Sequence, residues 1–194
     1  MTKHLDLGCG DKPRNPFDAD QLYGVDIRPD LGEKIIAANL MVEPIPFPDE
    51  YFESISAYDF IEHIPRNIHN FNTEKTHFPF IFLMNEIFRT LKPNGIFYAV
   101  TPAYPHPKAF TDPTHINFIT DETHTYFCGS TPLGRMYGFN GTFEAVRVKR
   151  IKPRGQYEPQ KLNALESLQR FKDRFKIKRS HILWELKKVN TNNN

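Results

Sequence analysis

Three short stretches of this 194-residue chain carry side chains from which chemistry could be built. The first is Leu5-Asp6-Leu7-Gly8-Cys9-Gly10, an apolar run closed by two glycines, with Asp26 ending the next apolar run. Glycines let a backbone approach a ligand closely, and a carboxylate at the neighbouring strand end can accept two hydrogen bonds from a ribose diol. That combination suits a nucleoside. A dinucleotide fingerprint would want a third glycine at position 13, where the chain has Pro13, so a pyrophosphate over a helix start is disfavoured. The second stretch is Tyr58-Asp59-Phe60-Ile61-Glu62-His63, and the third is His106 followed by Asp112-Pro113-Thr114-His115. His63, His106 and His115 are candidate general bases, with Asp112 three residues before His115. His106, Asp112 and His115 lack the compact spacing of metal ligands, so no metal site is expected.

These residues need elements to hold them. Residues 4–7 read as a strand running into the glycine turn, residues 22–27 as a second strand and residues 35–38 as a weaker third. Residues 52–58 form a fourth strand, after a loop containing Pro44, Pro46 and Pro48. Phe80, Leu83, Met84, Ile87, Phe88 and Leu91 recur at helical spacing, and Pro93-Asn94-Gly95 stops that helix. A fifth strand covers residues 96–100, and the prolines from Pro102 to Pro113 stiffen the loop beyond it. A short helix is predicted near Thr120, a strand over 143–151, an amphipathic helix through Leu162, Leu165, Leu168 and Phe175, and a last strand over 182–189. Strands alternating with helices predict an α/β fold, a mostly parallel sheet with crossover helices, its final two strands pairing antiparallel at one edge. Ligands of such sheets sit beyond the carboxyl ends of the strands, where all three stretches fall.

Composition narrows the setting. A single domain over residues 1–194 is expected, with a frayed tail over 190–194. The most apolar stretch, residues 78–84, is seven residues long and contains Pro79, far short of the roughly 20 apolar residues of a membrane span. Met1 lies three residues before the first strand, so a signal peptide is not expected, and two cysteines make no disulfide framework. The expectation is a cytoplasmic protein. A formal charge of +2 does not indicate a globally basic nucleic-acid binder, but it hides an asymmetry. Residues 1–146 hold 11 basic and 19 acidic side chains, a balance of −8, whereas residues 147–194 hold 14 and 4, a balance of +10.

A longer pattern joins the stretches. Asn39-Leu40 precedes Pro46-Phe47-Pro48-Asp49-Glu50-Tyr51-Phe52, then Tyr58-Asp59-Phe60-Ile61-Glu62-His63-Ile64, then Glu86-Ile87-Phe88-Arg89-Thr90-Leu91-Lys92-Pro93-Asn94-Gly95. In this order and spacing, over roughly residues 4–120, the chain resembles class I S-adenosylmethionine-dependent methyltransferases, specifically the type-11 methyltransferase domain. The resemblance implies a Rossmann-like doubly wound sheet of seven strands, the last antiparallel. It implies that Asp6, Gly8, Cys9 and Gly10 lie against the methionine part of the cofactor and that Asp26 binds its ribose. Ile27 would flank the adenine, Asn39 and Leu40 would reach the adenine edge, and Tyr58, Asp59, Phe60 and His63 would lie along the methionine and its methyl group. One departure is plain: only 15 residues separate Gly10 from Asp26, and they include Pro13 and Pro16. The usual first helix must be short or replaced by a loop.

The sulfonium of such a cofactor already activates the methyl group, so the protein supplies alignment, a dry pocket and, for an oxygen or protonated nitrogen, a base. His63, His115 and Asp112 are the expected catalytic residues. A thiol nucleophile for cytosine chemistry is missing after the fourth strand, and Asp59-Phe60-Ile61 stands where adenine-amino methyltransferases carry a Pro-Pro-aromatic turn. The expected reaction is methyl transfer to oxygen or nitrogen of a small-molecule or glycan-type acceptor. The alternatives are a non-catalytic cofactor-binding partner or regulatory protein, and an RNA methyltransferase. Residues 153–179 read as a helical insertion between the last two strands, and Arg170, Lys172, Arg174 and Lys176 would recruit an anionic acceptor from it.

Overall fold

The computed structural model describes residues 1–152 and 179–190. Its strands are Lys3–Leu7 (β1), Gln21–Asp26 (β2), Ile35–Ala37 (β3), Phe52–Tyr58 (β4), Ile68–Asn70 (β5) and Lys75–His77 (β6). The helix Pro79–Thr90 (α1) follows, then Leu91–Pro102 (β7), Phe143–Ile151 (β8) and His181–Lys188 (β9). Seven strands form one sheet in the order β3-β2-β1-β4-β7-β9-β8, and β5 pairs with β6 in a separate hairpin. All neighbours in the large sheet run parallel except β9, which is antiparallel to both β7 and β8. An antiparallel strand delivers its first residue to the edge where parallel strands deliver their last. His181 accordingly lies opposite Pro102.

Period-two alternation gives the sheet two different faces. Leu5, Leu7, Ile55, Ala57, Phe97, Ala99, Trp184 and Leu186 pack in one core with Phe80, Leu83, Met84 and Ile87 of α1. Each such buried side chain contributes about 1.5–3 kcal/mol, except the small alanines. The opposite face carries His4, Asp6, Ser54 and Ser56, all buried, beside the smaller apolar group of Tyr58, Tyr98, Val100 and Leu183. Phe17, from the loop after β1, stands over this face with its ring 5.7 Å from His4 and 5.9 Å from Tyr98.

The loop that carries Phe17 replaces the first crossover helix, as Pro13 and Pro16 require. It lies directly on the sheet because Gly24 of β2 leaves room: a Cβ there would fall 2.6 Å from Cys9 Sγ and 2.7 Å from Pro13. The next two connections are loops as well, where the sequence pattern placed no helix. Residues 27–34 and 38–51 also form no helix, and α1, between β4 and β7, is the one α-helix among the described residues. Pro79 begins α1 at a position where its missing N–H costs nothing. Leu91, counted above as the helix's last apolar position, instead pairs with Phe52 as the first residue of β7. The short helix near Thr120 is a single tight turn, Thr123–Tyr126. The amphipathic helix through Leu162 and the four basic residues from Arg170 to Lys176 lie outside the described residues, as does most of the frayed tail.

Candidate active site

Gly8 and Gly10 both adopt left-handed backbone, with φ of 63° and 64°. Gly8 is required twice over, since a Cβ would fall 2.4 Å from the Phe60 ring. The turn is tied to β2 by Gly8 N–H donating to the Val25 carbonyl at 2.8 Å, and Gly10 N–H donates to Asp26 Oδ2 at 2.8 Å. Burial, reinforced by the charges of Asp6 and Asp26, pushes the Cys9 thiol up to about 12, and burial alone does the same to Cys128. Both thiols therefore keep their protons near neutral pH.

Asp6 sits beneath the turn with both oxygens engaged. Ser56 Oγ donates to Oδ1 at 2.6 Å and Arg14 N–H to Oδ2 at 2.8 Å. The Ser56 proton is thereby used, so Ser56 accepts from His4 Nε2 at 2.8 Å, and His4 Nδ1 accepts from Ser54 at 2.7 Å. Burial dominates the titration of both ends: it raises Asp6 to about 6 and lowers His4 to about 3. This relay was not read from the sequence; the signal that could have found it is that His4 and Asp6, like Ser54 and Ser56, stand two apart and so on one face of their strands.

Asp26 ends β2. Its burial favours the neutral acid, but hydrogen bonds from the Arg28 side chain, the Arg28 N–H and the Gly10 N–H outweigh that and hold it below the usual carboxylate value. Beside it Ile27 is 60% exposed, an apolar side chain standing in the open at a strand end. Asn39 closes a turn, its N–H donating to Glu43 at 2.5 Å and its Oδ1 accepting from the Met41 N–H, while Leu40 is buried in the core. At the end of β4, Tyr58 is buried under the Arg14 guanidinium, 4.5 Å from its ring. Asp59 takes a φ of 47°, and its Oδ1 lies 3.2 Å from Nε2 of His181, a residue the sequence did not point to.

The next turn, Ile61–His63, brings the second and third stretches together. The Glu62 carbonyl accepts from the N–H groups of Ile116 and Asn117 at 3.0 and 2.9 Å, latching the Asp112–His115 loop to it. The His63 and His115 rings meet edge to face at 4.8 Å. His63 Nδ1 lies 3.0 Å from Thr114 Oγ1, whose proton goes to Asp112 Oδ1 at 2.7 Å. His115 Nδ1 lies 3.2 Å from the Ala109 carbonyl. Glu62 is buried, accepts from Thr101 Oγ1 at 2.8 Å, and is raised by that burial to about 8. Its Oε1 lies 3.9 Å from His115 Nε2. His106 stays apart, accepting from the Lys108 N–H at the start of a turn. Folding brings His63, Asp112 and His115 to one place, sets Glu62 beside His115, and leaves His106 outside the group.

These groups share the carboxyl edge of the parallel strands. A broad groove lined by Asp49, Glu50, Asn85, Arg89 and Lys188 opens at the amino edge of β4 and holds none of them.

No protein-family model matches the sequence, and no curated protein matches it. Solved structures do match in fold. A SAM-dependent methyltransferase from Archaeoglobus fulgidus aligns with 96% of this chain and 86% of its own, at 14% identity and a TM-score of 0.59. The geranyl diphosphate C-methyltransferase of Streptomyces coelicolor, solved with Mg2+, geranyl diphosphate and S-adenosyl-L-homocysteine, aligns over 97% and 73%, at 11% identity and a TM-score of 0.55. The cyclase SpnF aligns over 97% and 74%, at 16% identity and a TM-score of 0.57. The chain has the class I methyltransferase fold, a Rossmann-like sheet with its last strand antiparallel. No helix among the described residues is long and apolar enough to cross a membrane.

Proposed function

We propose that the protein is an S-adenosylmethionine-dependent methyltransferase acting on an oxygen or nitrogen of a small-molecule or glycan-type acceptor. The observation that carries this reading is the convergence, on one sheet edge, of a left-handed glycine turn, the Asp26 carboxylate and a cluster of imidazoles. The residues present fit the cofactor. Ile27 offers an exposed apolar surface to a base beside a carboxylate suited to a ribose diol, and the left-handed glycine turn ends the adjacent strand. The structural likeness to methyltransferases supports the same cofactor.

When bound, the cofactor supplies a methyl group on a positively charged sulfur. This chain's residues do the remaining work. Asp26, Gly8 and Gly10 orient, with Asp59 and Phe60 at the neighbouring strand end. His63 and His115 each have Nδ1 held by a neighbour, which supports assigning either Nε2 as the base that takes the acceptor's proton. Asp112 acts through Thr114 as a positioning residue.

The test is an acceptor screen with methyl-labelled cofactor. His63→Gln or His115→Gln should lower turnover while leaving cofactor affinity within a few-fold. Full activity in both single variants would remove the imidazoles from the reaction.

A further inference from the structure

We propose that Glu62, His63 and His115 form a binding site for one divalent transition-metal ion of the zinc class, with a coordination position left open toward the acceptor. One ligand atom from each of the three lies within 4.8 Å of the others. Three further observations single this cluster out.

The first is Glu62. It is 2% exposed, its Oε2 is satisfied by Thr101, and its Oε1 has no hydrogen-bond partner among the described residues. A carboxyl oxygen left without a partner in the interior is costly, and a cation that displaces the acid's proton would meet it. His115 Nε2 is no partner at 3.9 Å, beyond hydrogen-bond reach. Two ligands of a tetrahedral zinc lie about 3.3 Å apart, so a side-chain adjustment of roughly 0.6 Å would bring both atoms to an ion between them.

The second is the tautomer of each ring. The Thr114 hydroxyl spends its proton on Asp112, which accepts only, so it can only accept from His63. His63 therefore carries its proton on Nδ1. The Ala109 carbonyl likewise accepts only, so His115 carries its proton on Nδ1 as well. Both Nε2 atoms are left as lone pairs in the neutral rings. Two imidazole lone pairs and a carboxyl oxygen without a partner are collected in one place, where a single cation would meet all three.

The third is the supporting shell. Metal-ligating histidines typically donate their other ring N–H to a carboxylate, a carbonyl or water, which fixes the ring. The Asp112–Thr114–His63 chain and the Ala109–His115 bond supply such support, and the Glu62 carbonyl latch holds the two loops at a fixed separation. Two nitrogens and one carboxylate favour zinc and its neighbours over magnesium or calcium, and three protein ligands leave an open position. An acceptor hydroxyl or amine would bind there. That last step rests on the methyltransferase reading, whereas ion binding does not. With the ion present, both Nε2 atoms are ligands and no longer bases, and the ion would instead acidify the acceptor hydroxyl or amine bound to it.

The experiment is a calorimetric titration of Zn2+ into chelator-treated full-length protein without cofactor, alongside a methyl-transfer assay with and without Zn2+. One equivalent should bind with micromolar or tighter affinity. Glu62→Gln, His63→Gln and His115→Gln should each weaken it at least tenfold, and Asp112→Asn about tenfold through the supporting shell. His77→Gln, on the exposed hairpin, should leave it unchanged. His63 is half-buried, so its variant tests the site even if Glu62→Gln does not fold. Failure to bind one Zn2+, or binding that His63→Gln and His115→Gln leave unchanged, overturns the site. One-to-one binding lost in those variants upholds the site even where no acceptor is methylated, so failure of the methyltransferase reading is read separately.

Discussion

Arg28 holds Asp26 by one carboxylate oxygen, donating to Oδ1 from both its backbone N–H and its side-chain Nε at 3.0 Å. Gly10 N–H takes the other oxygen, so the carboxylate assigned to a ribose diol is already enclosed by three donors. The Arg28 side chain is 59% exposed, and exposed ion pairs are weak. A diol can therefore displace the guanidinium while the two backbone donors keep Asp26 in place. Arg28→Ala should change cofactor affinity by no more than a few-fold, toward tighter binding. Loss of tenfold or more by calorimetry would instead make the guanidinium part of the binding site.

Gly8 and Phe60 are the tightest approach in the glycine turn. Gly8→Ala should destabilise the fold by about 1–2 kcal/mol from left-handed backbone alone, with a further term for the displaced ring. Adding Phe60→Ala removes only that further term. A denaturation double-mutant cycle should show the two substitutions to be coupled, and strict additivity would mean that the turn relaxes away from Phe60.

His4 and Asp6 oppose each other in their pH dependence. Asp6, raised from 3.8 to about 6, keeps a proton in the folded state that the unfolded chain loses, so stability falls as pH rises through that window. His4, lowered from 6.5 to about 3, is neutral when folded and charged when unfolded, so its contribution rises with pH over 3 to 6.5. The two slopes, each about 1.4 kcal/mol per pH unit, cancel between roughly pH 4 and 6. Asp6→Asn should leave a stability that climbs across this range, and His4→Gln one that declines. Identical profiles for both variants in chemical denaturation would dissolve the relay.

Thr114 passes the Asp112 charge to His63 through one hydroxyl. Thr114→Val keeps the shape and removes the link. Turnover should fall about tenfold with cofactor affinity unchanged, and Thr114→Ser should restore most of it. A Thr114→Val enzyme with normal turnover would leave Asp112 as a surface loop residue only.

Much of the sheet can be read from the chain because its strands are apolar runs bounded by glycine and proline. The strand expected over residues 143–151 matches Phe143–Ile151, and the loop in place of the first helix follows from Pro13 and Pro16. What escaped reading depends on contacts between distant segments. Leu91 continues the helical spacing of α1, yet pairing with Phe52 draws it into β7, and the turn at Asn94, with φ of 63°, lies within that strand. The β5–β6 hairpin has three exposed residues on each side and so no apolar alternation to reveal it. In the site, the glycine turn and Asp26 announce themselves by residue type. The union of Glu62 with His115 does not, because it is made by backbone hydrogen bonds from Ile116 and Asn117 across some 50 residues. His181 escaped because an antiparallel strand brings its first residue, rather than its last, to the ligand edge.

The most direct measurement is a calorimetric titration of S-adenosylmethionine into the purified protein and its Asp26→Ala variant, with NAD as the comparison ligand. Asp26 should supply charge-assisted hydrogen bonds of about 1.5–3 kcal/mol each to the ribose. The account predicts one-to-one binding of S-adenosylmethionine and of its demethylated product, at least tenfold weaker in a folded Asp26→Ala variant, and no binding of NAD. Absence of S-adenosylmethionine binding, or equal binding by Asp26→Ala, would contradict it.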